Sequence, residues 1–324
     1  MLKKKISLIT GVAGSIGSNL ADNLLKNNHI VYGVDNLSLG KKKNLQSITS
    51  NKNFFFKKIN LKYKVEFFFN SFIKKKIDYV WLLAANSDIQ KGVKNDNVDI
   101  NDTFFTTVNA LKGVVRKLNK KCLIIFTSSS AIYGNYRGPL NEENHNFNPI
   151  SNYGKSKLLS EFFIKSYCQH HKILFLILRL PNVTGSPFTH GILSDFLKKY
   201  KKNKKMLKVL GNGMQKKPYV HVKELVRAMH YLSNKIKIKS DTILIGPQQI
   251  NGILIKKIAN IFKKKINNRI KLLFEKKNYG WKGDVPSYSY LTKRLNSYDF
   301  RFRYTSDQAI SYAVDQLKKN IIKE

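Results

Sequence analysis

Residues 127–134 read Thr-Ser-Ser-Ser-Ala-Ile-Tyr-Gly, and residues 153–157 read Tyr-Gly-Lys-Ser-Lys. A hydroxyl cluster closes the apolar run Leu123–Thr127. Tyr153 follows 24 residues after Ser129, and Lys157 comes four residues later. On a helix, positions i and i+4 share a face. A free Tyr has a pKa of about 10, so acting as a base near neutral pH needs a drop of about 3 units, roughly 4 kcal/mol. A Lys ammonium one turn away and a positively charged nicotinamide each favour the phenolate. Ser129 would hydrogen-bond the same substrate oxygen and help pass the proton. Such a set moves a proton to or from a substrate hydroxyl beside a nicotinamide ring. Spacing alone does not select it, because Tyr-x-x-x-Lys recurs at Tyr200, Tyr219 and Tyr231. Tyr153 is singled out by following the serine-bearing strand and opening a long amphipathic stretch. Ser128 and Ser130 read from the residues as local hydrogen-bond formers.

The elements that must hold these residues alternate. Ile6–Ile9, Ile30–Val34, Tyr79–Ala84, Leu123–Thr127 and Leu174–Leu178 are short apolar runs that read as buried strands. Ile16–Leu25, Val98–Leu118 and Tyr153–Tyr167 carry apolar residues at helical spacing. Strand-helix alternation predicts an α/β fold with a doubly wound parallel sheet covered on both faces. After about residue 180 the pattern loosens, punctuated by Pro181, Gly185, Pro187, Gly191, Gly211 and Gly213. Helices are expected at Ile192–Tyr200, Val222–Leu232 and Ile253–Phe262, with one more strand at Ile243–Gly246. The expected division is residues 1–180 for the sheet domain, with a return around 215–246. Residues 181–324 form a smaller C-terminal α/β lobe interleaved with it.

Gly11, Gly14 and Gly17 lie between the first strand and the first helix. Glycines permit a tight turn and close backbone approach to a pyrophosphate. The helix start at Ser15 and Ile16 then directs free N–H groups at the anion. Asp35 ends the second strand, 18 residues after Gly17, followed by Asn36. A carboxylate there accepts hydrogen bonds from both ribose hydroxyls, which favours NAD over NADP.

At 324 residues the chain can bury a substantial core. Its formal charge of +39, from 59 basic and 20 acidic residues, invites a nucleic-acid reading. Lys is spread over the whole length in short runs, such as Lys3–Lys5, Lys41–Lys43, Lys74–Lys76 and Lys263–Lys265. Arg is sparse, whereas base readers lean on it. Biased composition with solvated Lys faces is the reading taken, with no nucleic-acid partner. Cys122 and Cys168 make no disulfide framework and read as reduced packing residues. His170 and His171 adjoin without a carboxylate cluster, so no metal site is expected. The basic start resembles a signal n-region, but the apolar stretch Ile6–Ile9 is too short for an h-region. No segment approaches the length of a membrane span. A soluble cytoplasmic protein is expected.

Together these motifs resemble the NAD-dependent sugar-nucleotide epimerase/dehydratase family of extended short-chain dehydrogenases, with a likeness to UDP-glucose 4-epimerases. The resemblance covers nearly the whole chain. It rests on the glycine turn, Asp35-Asn-Leu-Ser-Leu-Gly40, Leu83-Ala-Ala85, residues 128–134, Tyr153/Lys157, Arg179-Leu-Pro-Asn-Val-Thr-Gly185, Tyr219-Val-His-Val222 and Gly280-Trp-Lys-Gly-Asp-Val-Pro286. It implies a Rossmann domain with a small substrate lobe. Ser129, Tyr153 and Lys157 take the catalytic roles. NAD would be held by Gly11, Gly14, Ser15, Ile16, Gly17, Asp35 and Asn36, then by Asn60, Leu61, the loop Leu83-Ala84-Ala85 and Pro181, with Tyr153 and Lys157. A UDP- or GDP-linked sugar would meet Ser87, Ser129, Ser130 and Asn182, the loop at His190 and Gly191, and the cations Lys217 and Lys282. Family members often dimerise through two helices, here about 98–118 and 153–170.

The chain also departs from the family pattern. Leu82 stands where many relatives carry His, and Asn60 stands at the usual adenine-side Asp. Lys217 replaces an Arg pyrophosphate clamp, which keeps charge but loses the two-pronged geometry. Lys282 is a stand-in for a second missing Arg, and Lys223 replaces a usual Asp. Ser130 and Ala131 occupy the places where 4,6-dehydratases carry an Asp-Glu pair and decarboxylases a Glu. Elimination and decarboxylation therefore lack their base. The expected activity is a sugar-nucleotide 4-epimerase: hydride leaves C4 for NAD, a 4-keto sugar swings over, and hydride returns to the other face. An NAD(P)H-dependent sugar-nucleotide reductase or dehydrogenase is the alternative within enzymes, with a 4,6-dehydratase behind it. A basic NAD-binding protein holding nucleic acid is the non-enzymatic one.

Overall fold

The computed structural model describes residues 3–136, 138–236, 238–247, 252–280, 285 and 287–322. The chain opens with β1 (Lys5–Thr10), α1 (Ser15–Lys26), β2 (His29–Asp35), β3 (Phe54–Lys58), α2 (Glu66–Phe72) and β4 (Ile77–Leu82). There follow α3 (Ile89–Lys94), α4 (Asp96–Asp99), a π-helical turn at Ile100–Phe105, α5 (Thr106–Val114) and β5 (Leu118–Ser129). Next come β6 (Pro139–Leu140), α6 (Asn152–His170), β7 (Leu174–Leu180), β8 (Asn182–Thr184), α7 (Ile192–Lys202), β9 (Met206–Val209), β10 (Lys216–Lys217) and β11 (Tyr219–His221). The last are α8 (Val222–Lys235), β12 (Asp241–Leu244), β13 (Ile253–Leu254), α9 (Ile255–Ile266), β14 (Lys271–Phe274), β15 (Ser289–Tyr290), α10 (Lys293–Ser297) and α11 (Ser306–Ile322).

Two compact units result. The first comprises Met1–Ser129, Asn152–Arg179 and Met229–Ile243. Its centre is a seven-stranded sheet in the order β12-β7-β5-β4-β1-β2-β3. The pairings β3-β2, β2-β1, β1-β4 and β4-β5 are all parallel. Chain order reverses beside β1, the Rossmann arrangement, which leaves a crevice at the carboxyl ends of the strands. Apolar runs make these strands because both faces are covered: β2 is buried at every position and β1 at all but its first. Helix α1 turns Leu20, Ala21, Leu24 and Leu25 inward and stops at Asn27. Asn28 then takes a positive φ of 63°, as a residue just past a helix end commonly does. One core layer joins Leu8, Val34, Val80 and Phe126 to Phe69, Leu111, Ile164 and Cys168. Each such side chain contributes about 1.5–3 kcal/mol of burial. Both cysteines are free and buried.

The second unit comprises Ser130–Ser151, Leu180–Ala228 and Leu244–Glu324. It holds four two-stranded pairings: β8 with β11, β9 with β14, β6 with β15, and β10 with β13. Its core packs Phe196, Leu207, Ile258, Phe262, Ile310 and Val314. Among the described residues, no helix is long and apolar enough to cross a membrane.

Three expected spans are corrected. The stretch 98–118 is not one helix but α4, a π turn, α5, a 3-10 turn and the start of β5. The strand expected at Tyr79–Ala84 starts at Ile77 and stops at Leu82, because Leu83 and Ala84 turn their N–H groups to the Thr10 side chain. The helix expected from Ile253 starts at Ile255, because Ile253 and Leu254 pair with Lys217 and Lys216.

Candidate functional site

In the first unit, the carboxyl ends of β2, β1, β4 and β5 carry Asp35, Thr10, Leu82 and Ser129. Gly11 leaves β1 with φ +71°, a conformation that a side chain disfavours. A Cβ on Gly11 would lie 2.9 Å from Ala84 Cα, and one on Gly17 would lie 2.2 Å from the Gly11 carbonyl oxygen. The turn is therefore as tight as the glycines imply. Gly14 caps α1 without a side-chain hydrogen bond, and no acid occupies the first turn. As at any helix start, the first N–H groups, at Ser15, Ile16 and Gly17, have no intrahelical acceptor.

Asp35 is buried, and its oxygens accept the N–H of Ala13 at 2.9 Å and of Leu37 at 2.7 Å. Burial raises its pKa, and those two N–H groups pull the other way. Thr10 Oγ1 accepts the N–H groups of Leu83 and Ala84, each at 3.1 Å, and donates to Trp81 O at 3.4 Å. One threonine thus fixes the loop Leu83-Ala84-Ala85, with half-buried Ser87 beyond it. Asn36 Oδ1 accepts the Ser38 N–H at 3.0 Å, and Asn60 Oδ1 accepts the Lys62 N–H at 3.2 Å. Both side chains are engaged in local turns. For Asn60 this occupies one lone pair of the carbonyl expected to meet adenine. Leu61 is buried in the core below.

Ser129 ends β5 and Tyr153 opens α6, and their hydroxyls are hydrogen-bonded. Lys157 lies one turn on, 2% exposed, with Nζ donating to Thr127 O at 2.7 Å. Its ammonium is 5.8 Å from the Tyr153 ring centre and 4.7 Å from that of Phe126. Burial pushes Tyr153 up to about 12, the Ser129 hydrogen bond lowers it, and Asp99 raises it. Burial pulls Lys157 down to about 7, against the raising effects of Glu161 and Asp99. Glu161 is held by Arg179 through two hydrogen bonds, of 2.8 and 3.1 Å, with both side chains at most 2% exposed. Ser128, expected to bond locally, instead has its Oγ buried with no partner among the described residues.

The second unit carries the other expected residues. Pro181 is buried, and Asn182 begins β8 opposite Tyr219 of β11. Asn182 Nδ2 donates to Pro218 O at 3.4 Å. Lys217 is 7% exposed and sits in β10 opposite Ile253. The two strands bring Asn182 and the Lys217 segment together. His190 is exposed in the loop before α7, its Nδ1 2.9 Å from Thr189 Oγ1, and Gly191 caps that helix with φ +85°. Ser130 is buried and faces the Tyr290 hydroxyl. Lys282 lies outside the described residues.

The sequence model of the NAD dependent epimerase/dehydratase family matches residues 7–246. The chain belongs to that family. It is 28% identical over 317 residues to a Methanocaldococcus jannaschii protein provisionally named a UDP-glucose 4-epimerase, covering 97% of this chain and 98% of the relative. It is also 28% identical over 270 residues to the dTDP-D-glucose 4,6-dehydratase of Dictyostelium discoideum, covering 78% of this chain and 61% of that one. Among solved structures, a UDP-galactose 4-epimerase superposes with a TM-score of 0.83 at 25% identity, covering 98% of this chain and 99% of the other.

NAD is the cofactor of the family, and the residues present fit it. The open end of α1 suits a pyrophosphate. Asp35 keeps acceptor capacity on both oxygens beyond its two N–H donors, which suits a ribose diol. The unpartnered Ser128 Oγ lies one residue before Ser129. Two side chains near the site were missed in the sequence. Thr10 shows in the sequence only as the residue before the glycine turn. Asp99 lies on the buried stripe Asp99, Thr103, Thr106, Thr107 and Ala110. An acid at helical spacing with those residues was the signal that could have found it.

Proposed function

We propose that the chain is a nucleotide-sugar 4-epimerase using bound NAD on a UDP- or GDP-linked sugar. The observation carrying this is the hydrogen-bonded Ser129–Tyr153 pair beside buried Lys157, with no carboxylate at 130 or 131. Tyr153 Oη takes the proton of the sugar C4 hydroxyl and later returns it. Ser129 Oγ holds the same oxygen and relays the proton. Lys157, fixed by Thr127 O with its Nζ 5.8 Å from the Tyr153 ring centre, would favour the phenolate in its charged form. When bound, NAD exchanges hydride with C4 and adds a ring charge that favours the phenolate. Ser130 and Ala131 offer no base for C5 or C6, so the reading stops at epimerisation rather than elimination.

The same proposal gives the first unit the NAD role and the second the nucleotide-sugar anchor, through Asn182, His190, Gly191, Lys217 and Lys282, while Ser87 of the first unit also meets the sugar nucleotide. It includes a cytoplasmic homodimer formed through the helical segments 98–118 and 153–170. Exposed Phe105, Leu159 and Phe162 on those segments support it.

The test is to incubate the NAD-loaded protein with UDP- and GDP-sugars and analyse products by NMR. The C4 epimer is expected without net consumption of added NADH. Tyr153→Phe should lower kcat about 10³-fold. Full turnover in that variant rules the mechanism out, and steady NAD(P)H consumption points to a reductase instead.

A further inference from the structure

Residues 198–206 and 263–271 hold ten Lys and one Arg between them, with no acid. That is 11 of 18 residues, against 59 of 324 for the whole chain, so an even spread of Lys does not account for it. The fold joins the two segments within the second unit. Helix α7 ends at Lys202 and leads into β9, which starts at Met206, while α9 ends at Ile266 and leads into β14, which starts at Lys271. β9 and β14 run parallel, with Lys271 opposite Met206. The Lys271 N–H donates to Lys205 O at 2.8 Å, and Asn267 Nδ2 donates to Lys204 O at 3.3 Å. Two helix ends and two strand starts thus meet, bringing their cations together.

Lys202, Lys204, Lys205, Lys264, Arg269 and Lys271 are all exposed. Lys199 and Lys265 pair with Asp195 and Asp315, each at 2.6 Å, and both carboxylates lie outside the two segments. A helix C-terminus attracts cations, which accounts for Lys in the last turns of α7 and α9. Lys204, Lys205, Arg269 and Lys271 lie beyond those turns. The composition of the patch narrows its partner. Lys offers point charges without the two-pronged Arg fork, which suits a diffuse anionic layer better than defined phosphates or bases. Single-stranded nucleic acid is also held by aromatic faces on which bases stack. Tyr200, the one aromatic residue of the two segments, is instead edge-on to Phe262 in the core, with ring centres 6.1 Å apart. Met206, 41% exposed, adds an apolar side chain among the cations.

We propose that this end of the second unit is a docking surface for a bilayer of acidic phospholipid, held peripherally by Lys202, Lys204, Lys205, Arg269 and Lys271. Basic clusters of this size attract acidic headgroups, each cation adding to the affinity. The 11 residues of α7 put this end about 16 Å from Gly191 and the His190 loop. The surface is therefore separate from that loop, and the proposal stands without the epimerase reading.

The experiment sediments the full-length protein with vesicles of phosphatidylcholine, alone or with about one-third phosphatidylserine, at about 0.1 M salt. Binding is expected to the mixed vesicles only, weakening as salt rises. The combined variant Lys202→Gln, Lys204→Gln, Lys205→Gln and Lys271→Gln should bind at least about tenfold more weakly. A control with the same loss of charge, Lys74→Gln, Lys75→Gln, Lys120→Gln and Lys121→Gln, removes exposed lysines of the first unit. It should stay within about twofold of wild type, because screening confines each charge to its own surroundings. Thermal melting checks that both variants fold. Equal losses in the two variants would show that bulk charge alone drives binding and overturn the proposal. So would no binding to the mixed vesicles. Tighter retention on poly(U) RNA than on the mixed vesicles, abolished in the patch variant, would assign the surface to nucleic acid instead.

Discussion

Helices α6 and α8 both carry Tyr-x-x-x-Lys in the same unit, as Tyr153/Lys157 and Tyr231/Lys235. Local geometry barely separates them. The ammonium lies 5.8 Å from the ring centre in α6 and 5.3 Å in α8. Surroundings separate them completely. Lys157 is buried, bonded to a strand carbonyl and flanked by two acids. Lys235 is exposed in the last turn of its helix, where a cation suits the helix dipole. Spacing therefore fixes who touches whom, whereas desolvation and neighbouring charge decide whether the contact can do chemistry.

The sharpest break of that comparison is Lys157→Met, which should lower kcat by about 10²–10³-fold, as expected for a lost preorganised charge. Single-turnover kinetics on a confirmed substrate would measure it. Next comes the support beneath α6. Glu161→Ala strands the Arg179 guanidinium in the core and should cost about 3–5 kcal/mol, read by urea unfolding. A loss below about 1 kcal/mol would mean that water reaches Arg179.

The pH response probes the α8 side. His230, one residue before Tyr231, lies edge-on to His29 with ring centres 6.1 Å apart. Burial first, then the charges of His230 and Lys5, hold His29 down at about 4, against Asp78. The folded state thus excludes a proton that the unfolded chain takes up below about 6.5. Stability should be full above pH 6.5 and fall toward pH 4, by up to about 3 kcal/mol. A melting series in His29→Gln should show a flatter acid limb. The smallest effect belongs to Lys235→Met. It should change stability by less than about 0.5 kcal/mol and leave kcat within about twofold.

Much of this was legible in the residues, for reasons that differ by element. β1, β2, β5 and β7 show as apolar runs because both sheet faces are covered, and α1 shows because one stripe is apolar. β3, by contrast, is an edge strand reading Phe-Phe-Phe-Lys-Lys, with Phe55 43% exposed, so no buried run marks it. β13 takes two residues from an otherwise regular helical pattern through pairing alone. At the site, the glycine turn and Asp35 follow from local backbone demands and could be read directly. Asn36 and Asn60 could not, because turn bonding competes for the same carbonyls. Asp99 is marked only by its helical spacing with Thr103, Thr106, Thr107 and Ala110, whereas the packing of α4 on α6 is set by the fold.

The π turn at Ile100–Phe105 also sets a phase. Each residue of a helix rotates the next by about 100°. One residue more or less in that segment would swing everything after it by that angle. As built, Asp99 is buried upstream of the turn while Ala110, Leu111 and Val114 are buried in the core downstream. The length of that turn therefore sets the burial of both stretches together, and an insertion or deletion within it would turn one of them out of its packing.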